Sequence, residues 1–255
     1  MKKLPLFKTH FSLGKSILTV DKPTGDIEKK SSISVLDLVL NAKLDSLTVV
    51  EDCMTGLPQI REECIKNKLK LVYGLRLEMT QDCLNQDEKS LKSRAKYIIF
   101  AKNNAGHQQL IKIWSFAAKE GFYYNPVCDF VNLKRLWNDN LILCVPFYDS
   151  FLHLNSFEGN IHVPVFSGMQ PIFFLEENAL PFDPHLRVKV LDYCAKNGYE
   201  TVEAQSIYYK SKSDFVAWLT FKSIHSRTTI EKPEANHCSS DTFCYDRWLE
   251  GNIKV

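Results

Sequence analysis

Residues 97–126 read YIIFAKNNAGHQQLIKIWSFAAKEGFYYNP, and the fold class turns on how this stretch is divided. With Lys96 in front, KYIIFAKN is a run of β-branched and aromatic residues that predicts a strand over residues 96–103. AGHQQLIKIWSFAAKEG then carries apolar residues at helical spacing, which predicts a helix ending near Gly121. NLILCVPF follows as another strand. A strand, a helix and a strand in succession make one unit of an α/β fold.

The same unit recurs on both sides. SSISVLDLVLNAKLDSLTVV begins with Ser32 as a candidate N-cap, places Ile33, Leu36, Leu40 and Leu44 along the chain, and runs into the strand-like LTVV. GLPQIREECIKNKLKLVYGLRLEM has Pro58 near a helix start, Ile60, Cys64 and Ile65 as a buried face, and LKLVYGLRLEM as a strand. DPHLRVKVLDYCAKNGYETVEA has Asp183 as a cap, Gly198 as a stop, and YETVEA as a strand. This alternation predicts a mostly parallel sheet, open or closed into a barrel, while residues 19–32, with Pro23, Gly25 and mixed charges, read as an exposed loop.

Composition narrows the function classes. The chain has 255 residues, 45% of them hydrophobic, enough for one large domain. Lys and Arg number 32 and Asp and Glu 30, a net charge of +2 that gives no long-range field toward nucleic acid or membrane, so anion binding has to be local. The apolar window IHVPVFSGMQPIFFL is broken by Pro164, Gly168 and Pro171 and is shorter than the roughly 20 residues that span a bilayer. The N-terminus lacks a continuous apolar core after its lysines, and the chain reads as cytoplasmic.

The common chemistry motifs are missing. Gly14-Lys15-Ser16 invites a phosphate-loop reading, but Thr9 stands where that loop needs a glycine. There is no Gly-x-Ser-x-Gly elbow. The seven histidines form no His-x-His or i, i+4 pair, and the eight cysteines are scattered singly, as expected of reduced, partly buried thiols rather than a zinc cluster.

Residues 97–126 closely resemble a run of the PHP (polymerase and histidinol phosphatase) domain at the N-terminus of bacterial DNA polymerase III alpha subunits. There an Ala-Lys-Asn-like strand end leads to a helix and a Gly-Phe-Tyr-Tyr-x-Pro-like turn. THFSLGKS is similar to the family's first strand end, SVLDLVLNAKLDSLTVVED to the segment ending in Thr-Asp-His, and SSDTFCYDRWLE to the closing element. The resemblance covers almost the whole chain as a single domain over residues 1–255. It implies a PHP-type distorted TIM-like barrel of about seven parallel strands with outer helices.

Active relatives hold several metal ions at the barrel mouth with His, Asp, Glu and Cys donors. Matched residue by residue, those positions fall here on Leu6 and Lys8, Val50 and Glu51, Arg76, Lys96, a position near Phe147, and Ser206 and Tyr208. Only Glu51 keeps a donor of the right kind. The resemblance therefore implies a metal-free site without phosphoesterase activity and without a cofactor. Lys8, Arg76 and Lys96 are expected either to pair with Glu51 and nearby carbonyls or to form an anion pocket with Tyr208 as donor.

Three functions stay open on this reading. The first is a free-standing structural or interaction module in DNA replication or repair, docking a polymerase subunit or a proofreading exonuclease and touching nucleic-acid backbone weakly. The second is a phosphoesterase or nuclease with Zn or Mn held by His10, Glu51, Asp52, Glu78 and Asp149. The third is a viral or mobile-element mimic that binds host replication proteins. GFYYNP and FCYDRW are candidate exposed aromatic patches for a partner.

Overall fold

The computed structural model describes residues 3–21, 32–157, 159, 161–166, 168–230 and 240–252. Most of the predicted loop, together with His237 and Cys238, lies outside the described residues. The strands are β1 (Leu4–Phe7), β2 (Ser46–Glu51), β3 (Lys70–Thr80), β4 (Ala95–Ala101), β5 (Phe122–Tyr123), β6 (Asn125–Asp129), β7 (Leu141–Val145), β8 (Ile172–Leu175) and β9 (Glu200–Ile207). The helices are α1 (Val35–Asn41), α2 (Leu57–Lys66), α3 (Glu88–Lys92), α4 (Asn104–Lys119), α5 (Phe130–Arg135), α6 (Phe151–Asn155), α7 (Asp183–Asn197), α8 (Phe215–Ser226) and α9 (Tyr245–Asn252).

Hydrogen-bonded neighbours run β2-β1-β9-β8-β7-β4-β3, and β2 also pairs with β3, which closes seven strands into a barrel. β6 attaches outside the ring, parallel to the end of β3, and β5 pairs with β6. Six barrel strands are parallel. β4 runs antiparallel to both β3 and β7, so the ring is mostly parallel, with this one strand reversed. The cause is local: β3 returns to β4 through α3 on the same end of the barrel, α4 and β6 carry the chain back to that end, and α5 leads it to start β7 from the other end.

Period-2 alternation divides the strand residues into two layers. Phe7, Val49, Leu75, Ile99, Leu143, Phe173 and Ile207 face out and join the helices in the large core. Leu6, Val50, Ile98, Phe100, Cys144, Phe174 and Ala204 face in and plug the barrel. Gly74 faces in as well, and a Cβ there would lie 2.6 Å from the Phe100 ring, so only glycine lets that ring cross the interior.

The helices form where the pattern indicated, with corrected details. α4 starts at Asn103, whose side chain accepts from Gly106 N, and buries Gly106, Leu110, Ile113 and Ala117 at helical spacing. α1 is capped by Ser34 rather than Ser32, because Ser34 accepts from Leu36 N. α2 buries Ile60 and Cys64, but Ile65 is 67% exposed, since it lies beyond the buried stripe. Asp183 is the first residue inside α7, and Gly198 ends that helix at φ 69°. In the FCYDRW segment Phe243, Tyr245 and Trp248 are all buried, with Trp248 Nε1 donating to Lys3 O at 2.8 Å. That segment fastens α9 to Lys3, just ahead of β1, and is not an exposed patch. All seven described cysteines are free.

Candidate functional site

The parallel strands end at one mouth, and the inward positions there bring polar side chains together, as expected at the C-terminal face of such a barrel. Lys8 follows β1, Asp52 follows β2, Arg76 and Glu78 belong to β3, Lys96 starts β4, Asp149 follows β7, Glu176 follows β8 and Ser206 ends β9. A cavity of about 640 Å³ opens here, walled by Lys15, Asp52, Arg76, Glu78 and Lys96 and rimmed by His10, Phe11 and Trp114.

Each carboxylate in this cavity is held by a cation. Lys8 Nζ lies 2.8 Å from Asp52 Oδ1, and Lys8 is only 2% exposed. Arg76 Nη2 lies 3.0 Å from Asp149 Oδ2 and also donates to Tyr148 O at 3.1 Å. Glu78 is shared by Arg94 at 3.2 Å and Lys96 at 3.8 Å. Burial disfavours the Asp52 charge, but Lys8, Lys96 and Arg76 outweigh it and hold the carboxyl well below its usual range. Burial also opposes the Asp149 charge, and Arg76, Lys96 and Lys15 override it, leaving a pKa of about 2. Burial lowers Lys8 to about 8, an effect that Asp52 partly offsets, so the pair is charged at neutral pH.

Glu51 has a different setting from the one expected. Alternation in β2 turns Val50 into the barrel and Glu51 out of it, under the loop that follows β1. There Thr9 N at 2.9 Å and Thr9 Oγ1 at 2.6 Å donate to one carboxylate oxygen, and Ser12 Oγ donates to the other. Ser12 Oγ in turn accepts from Asp52 N at 2.8 Å. Burial pushes the Glu51 carboxyl up to about 7, against Lys8 and these hydrogen bonds. The expected partner of the mouth cations is therefore replaced by its neighbour Asp52, with Glu78 and Asp149.

Of the other matched positions, Ser206 and Tyr208 do line the floor of the mouth beside Arg76. Ser206 donates from N at 2.8 Å and from Oγ at 2.9 Å to the buried Glu176. Tyr208 packs against both Trp218 and Phe243, with centroids 5.8 and 5.3 Å away. Phe147 faces out into the large core, and Pro146 and Tyr148 line the floor in its place. Of the alternative ligand set, His10, Asp52, Glu78 and Asp149 reach the mouth region while Glu51 faces away. Among the described residues no group of three or more His, Cys, Asp or Glu side chains is placed to hold a metal ion. The donor set does not fit a metal of the kind the resemblance implies, because ammonium and guanidinium groups occupy the same mouth and engage its carboxylates.

Several residues at the site were not singled out from sequence. Glu176 is the first residue after β8, a position where barrel strands present side chains to the mouth, and that placement was its only signal. It also accepts from Asn178 Nδ2 at 3.1 Å, and Tyr148 Oη donates to Asp183 at 3.0 Å. Lys15 was read within a failed phosphate loop. In the structure Gly14, at φ 69°, turns the chain against His225, and Trp218 Nε1 fixes Lys15 O at 3.0 Å. The Lys15 side chain lines the cavity, and among the described residues it makes no ion pair within 4 Å. Burial and then Lys96 lower its pKa.

A sequence profile of the family described as "PHP domain" matches residues 29–170. That match runs from ahead of α1 to the approach to β8 and leaves Lys8 before its start and Glu176, Ser206 and Tyr208 beyond its end. No curated protein matches the chain. Among solved structures, an amidohydrolase from Chromobacterium violaceum, determined with bound sulfate and no metal, is 10% identical with a TM-score of 0.42, covering 82% of this chain and 88% of that one.

Proposed function

We propose, from the premise that this chain belongs to the PHP domain family, that it is a member in which an ion-pair network has replaced metal ligation. It serves as a structural and protein-interaction module in DNA replication or repair, in the cytoplasm. The observation that carries the first half is the pairing of Asp52, Asp149 and Glu78 with Lys8, Arg76, and Arg94 and Lys96. Carboxylate and imidazole metal sites need several donors converging at about 2.0–2.2 Å, and a resident cation both occupies each donor and repels a divalent ion.

The replication role rests on the likeness of residues 97–126 to the polymerase III alpha-subunit domain. The partners it suggests are a polymerase subunit or a proofreading exonuclease. The turn within that likeness is open to solvent, with Phe122 51% and Tyr124 74% exposed, and aromatic side chains of this kind anchor protein interfaces. Lys15 favours a second contact. It adds a positive charge to the mouth with no ion-pair partner among the described residues, suited to one phosphate of a nucleic-acid backbone.

Affinity capture from the native host tests the role. Recovery of a replication protein, lost on Phe122→Ala with Tyr124→Ala, is the expected result, and capture with no replication protein contradicts it. The competing phosphoesterase reading predicts Mn²⁺-dependent turnover of a phosphomonoester or single-stranded DNA. The ion-pair reading predicts none.

A further inference from the structure

We propose that the opposite, N-terminal end of the barrel is a binding well for a medium-chain acyl carboxylate, with the chain inside the barrel and the head group at a lysine rim. Closed barrels are stable when their inward side chains fill the interior in layers. Here the layer of Leu6, Val50, Ile98, Cys144 and Ala204 is packed, and it separates the mouth from the other end. The next layer is not closed. Leu4, Val72, Ile142, Ile172 and Val202, one from each of five strands, point inward yet remain only partly buried. Phe100 and Phe174 form the floor of the well, edge to face at 6.2 Å and 71°.

The resulting cavity holds about 460 Å³, within the range of roughly 300–1,000 Å³ typical of small-molecule sites. Its wall is aliphatic and aromatic, and leaving such a wall in water forgoes about 25 cal/mol per Å² of apolar surface. The charge of the rim selects the head group. Lys70 and Lys102 border the well, both exposed, and among the described residues no Asp or Glu side chain lines it, Glu200 standing opposite Ile172 just outside the lining. Lys102 Nζ donates to Asp139 O at 2.8 Å, which anchors it at the rim with donors to spare. Ser46 and Thr48 add hydroxyls on the β2 side. An apolar ring with a cationic border fits an amphiphile with an anionic head.

Calorimetric titration of the full chain with octanoate, octanol and octyltrimethylammonium tests this. Octanoate is expected to bind at one site per chain, octanol about tenfold more weakly, and the cation not at all. Val202→Trp, which fills the well, abolishes octanoate binding. Lys70→Glu with Lys102→Glu changes only exposed side chains, so the fold persists by circular dichroism, while octanoate weakens about tenfold and octanol is unchanged. Equal affinity for all three head groups, or unchanged octanoate binding in the double variant, overturns the proposal. So does a dimer in sedimentation that octanoate dissociates, since a second copy would then cover the ring.

Discussion

Glu51 and Asp52 are adjacent in sequence and have opposite electrostatic fates, because one residue along a strand is the difference between the two faces of a sheet. Asp52 sits in the mouth against Lys8, and Glu51 sits behind it under Thr9 and Ser12. The folded pKa of Glu51, about 7, lies above its ordinary 4.5. Its protonated form therefore contributes stability in full below the unfolded value, and that contribution is lost as pH rises through 7. Glu51→Gln should gain on the native protein by about 2 kcal/mol between about pH 5 and about pH 8, read by urea unfolding at each. A constant difference across that range contradicts the assignment. Asp52→Ala should cost about 3 kcal/mol, because it leaves Lys8 buried without a partner, and Lys8→Met in the same chain should recover most of it. A double-mutant cycle by thermal or urea unfolding checks this pair. From sequence, the cations Lys8, Arg76 and Lys96 were legible as the occupants of the mouth. Their partners were not, since choosing Asp52 over Glu51 requires the strand's facing, and a single sequence leaves that phase free by one residue.

At the scale of elements, β3 is the member that holds the barrel shut. It pairs with β2 over residues 46–51, with β4 over residues 95–100 and with β6 at its end. Gly74 stands at its centre, where the Phe100 ring lies across the backbone. Gly74→Ala should destabilise by about 2 kcal/mol through overpacking, and Phe100→Leu in the same chain should relieve part of that loss, measured by urea unfolding. If Gly74→Ala alone is neutral, the close approach is not what glycine provides there. The helices and most strands were readable because their apolar residues recur at 3.6 or 2 residues and because Gly198 and Pro58 mark boundaries. The direction of β4 was not readable, since an apolar run such as YIIFA has the same pattern whichever way it crosses the sheet. FCYDRW misled for a related reason: three aromatics near a turn look alike whether they greet a partner or, as here, fasten α9 to Lys3, just ahead of β1, through Trp248.

At the scale of the whole molecule, the barrel closes through pairings far apart in sequence. β1 lies beside β9, with Leu4 opposite Ala204, and α9 packs across both β1 and α1 through Trp248 and Tyr245. The mouth network inherits that closure, because Lys8 comes just after the first strand, Arg76 from the third and Asp149 from the loop after the seventh. Truncation after residue 240 would remove the buried Phe243, Tyr245 and Trp248 together and should abolish cooperative unfolding in calorimetry, because losing each such side chain costs about 3–5 kcal/mol. The central claim is that these strand ends deliver ion pairs to the mouth where relatives are expected to deliver metal ligands. The most direct test is the metal content of the purified full chain after equilibration with Zn²⁺ or Mn²⁺ and removal of free ions. The account predicts well below one ion per chain, unchanged by Asp52→Ala. One or more ions per chain, lost in Asp52→Ala, would contradict it.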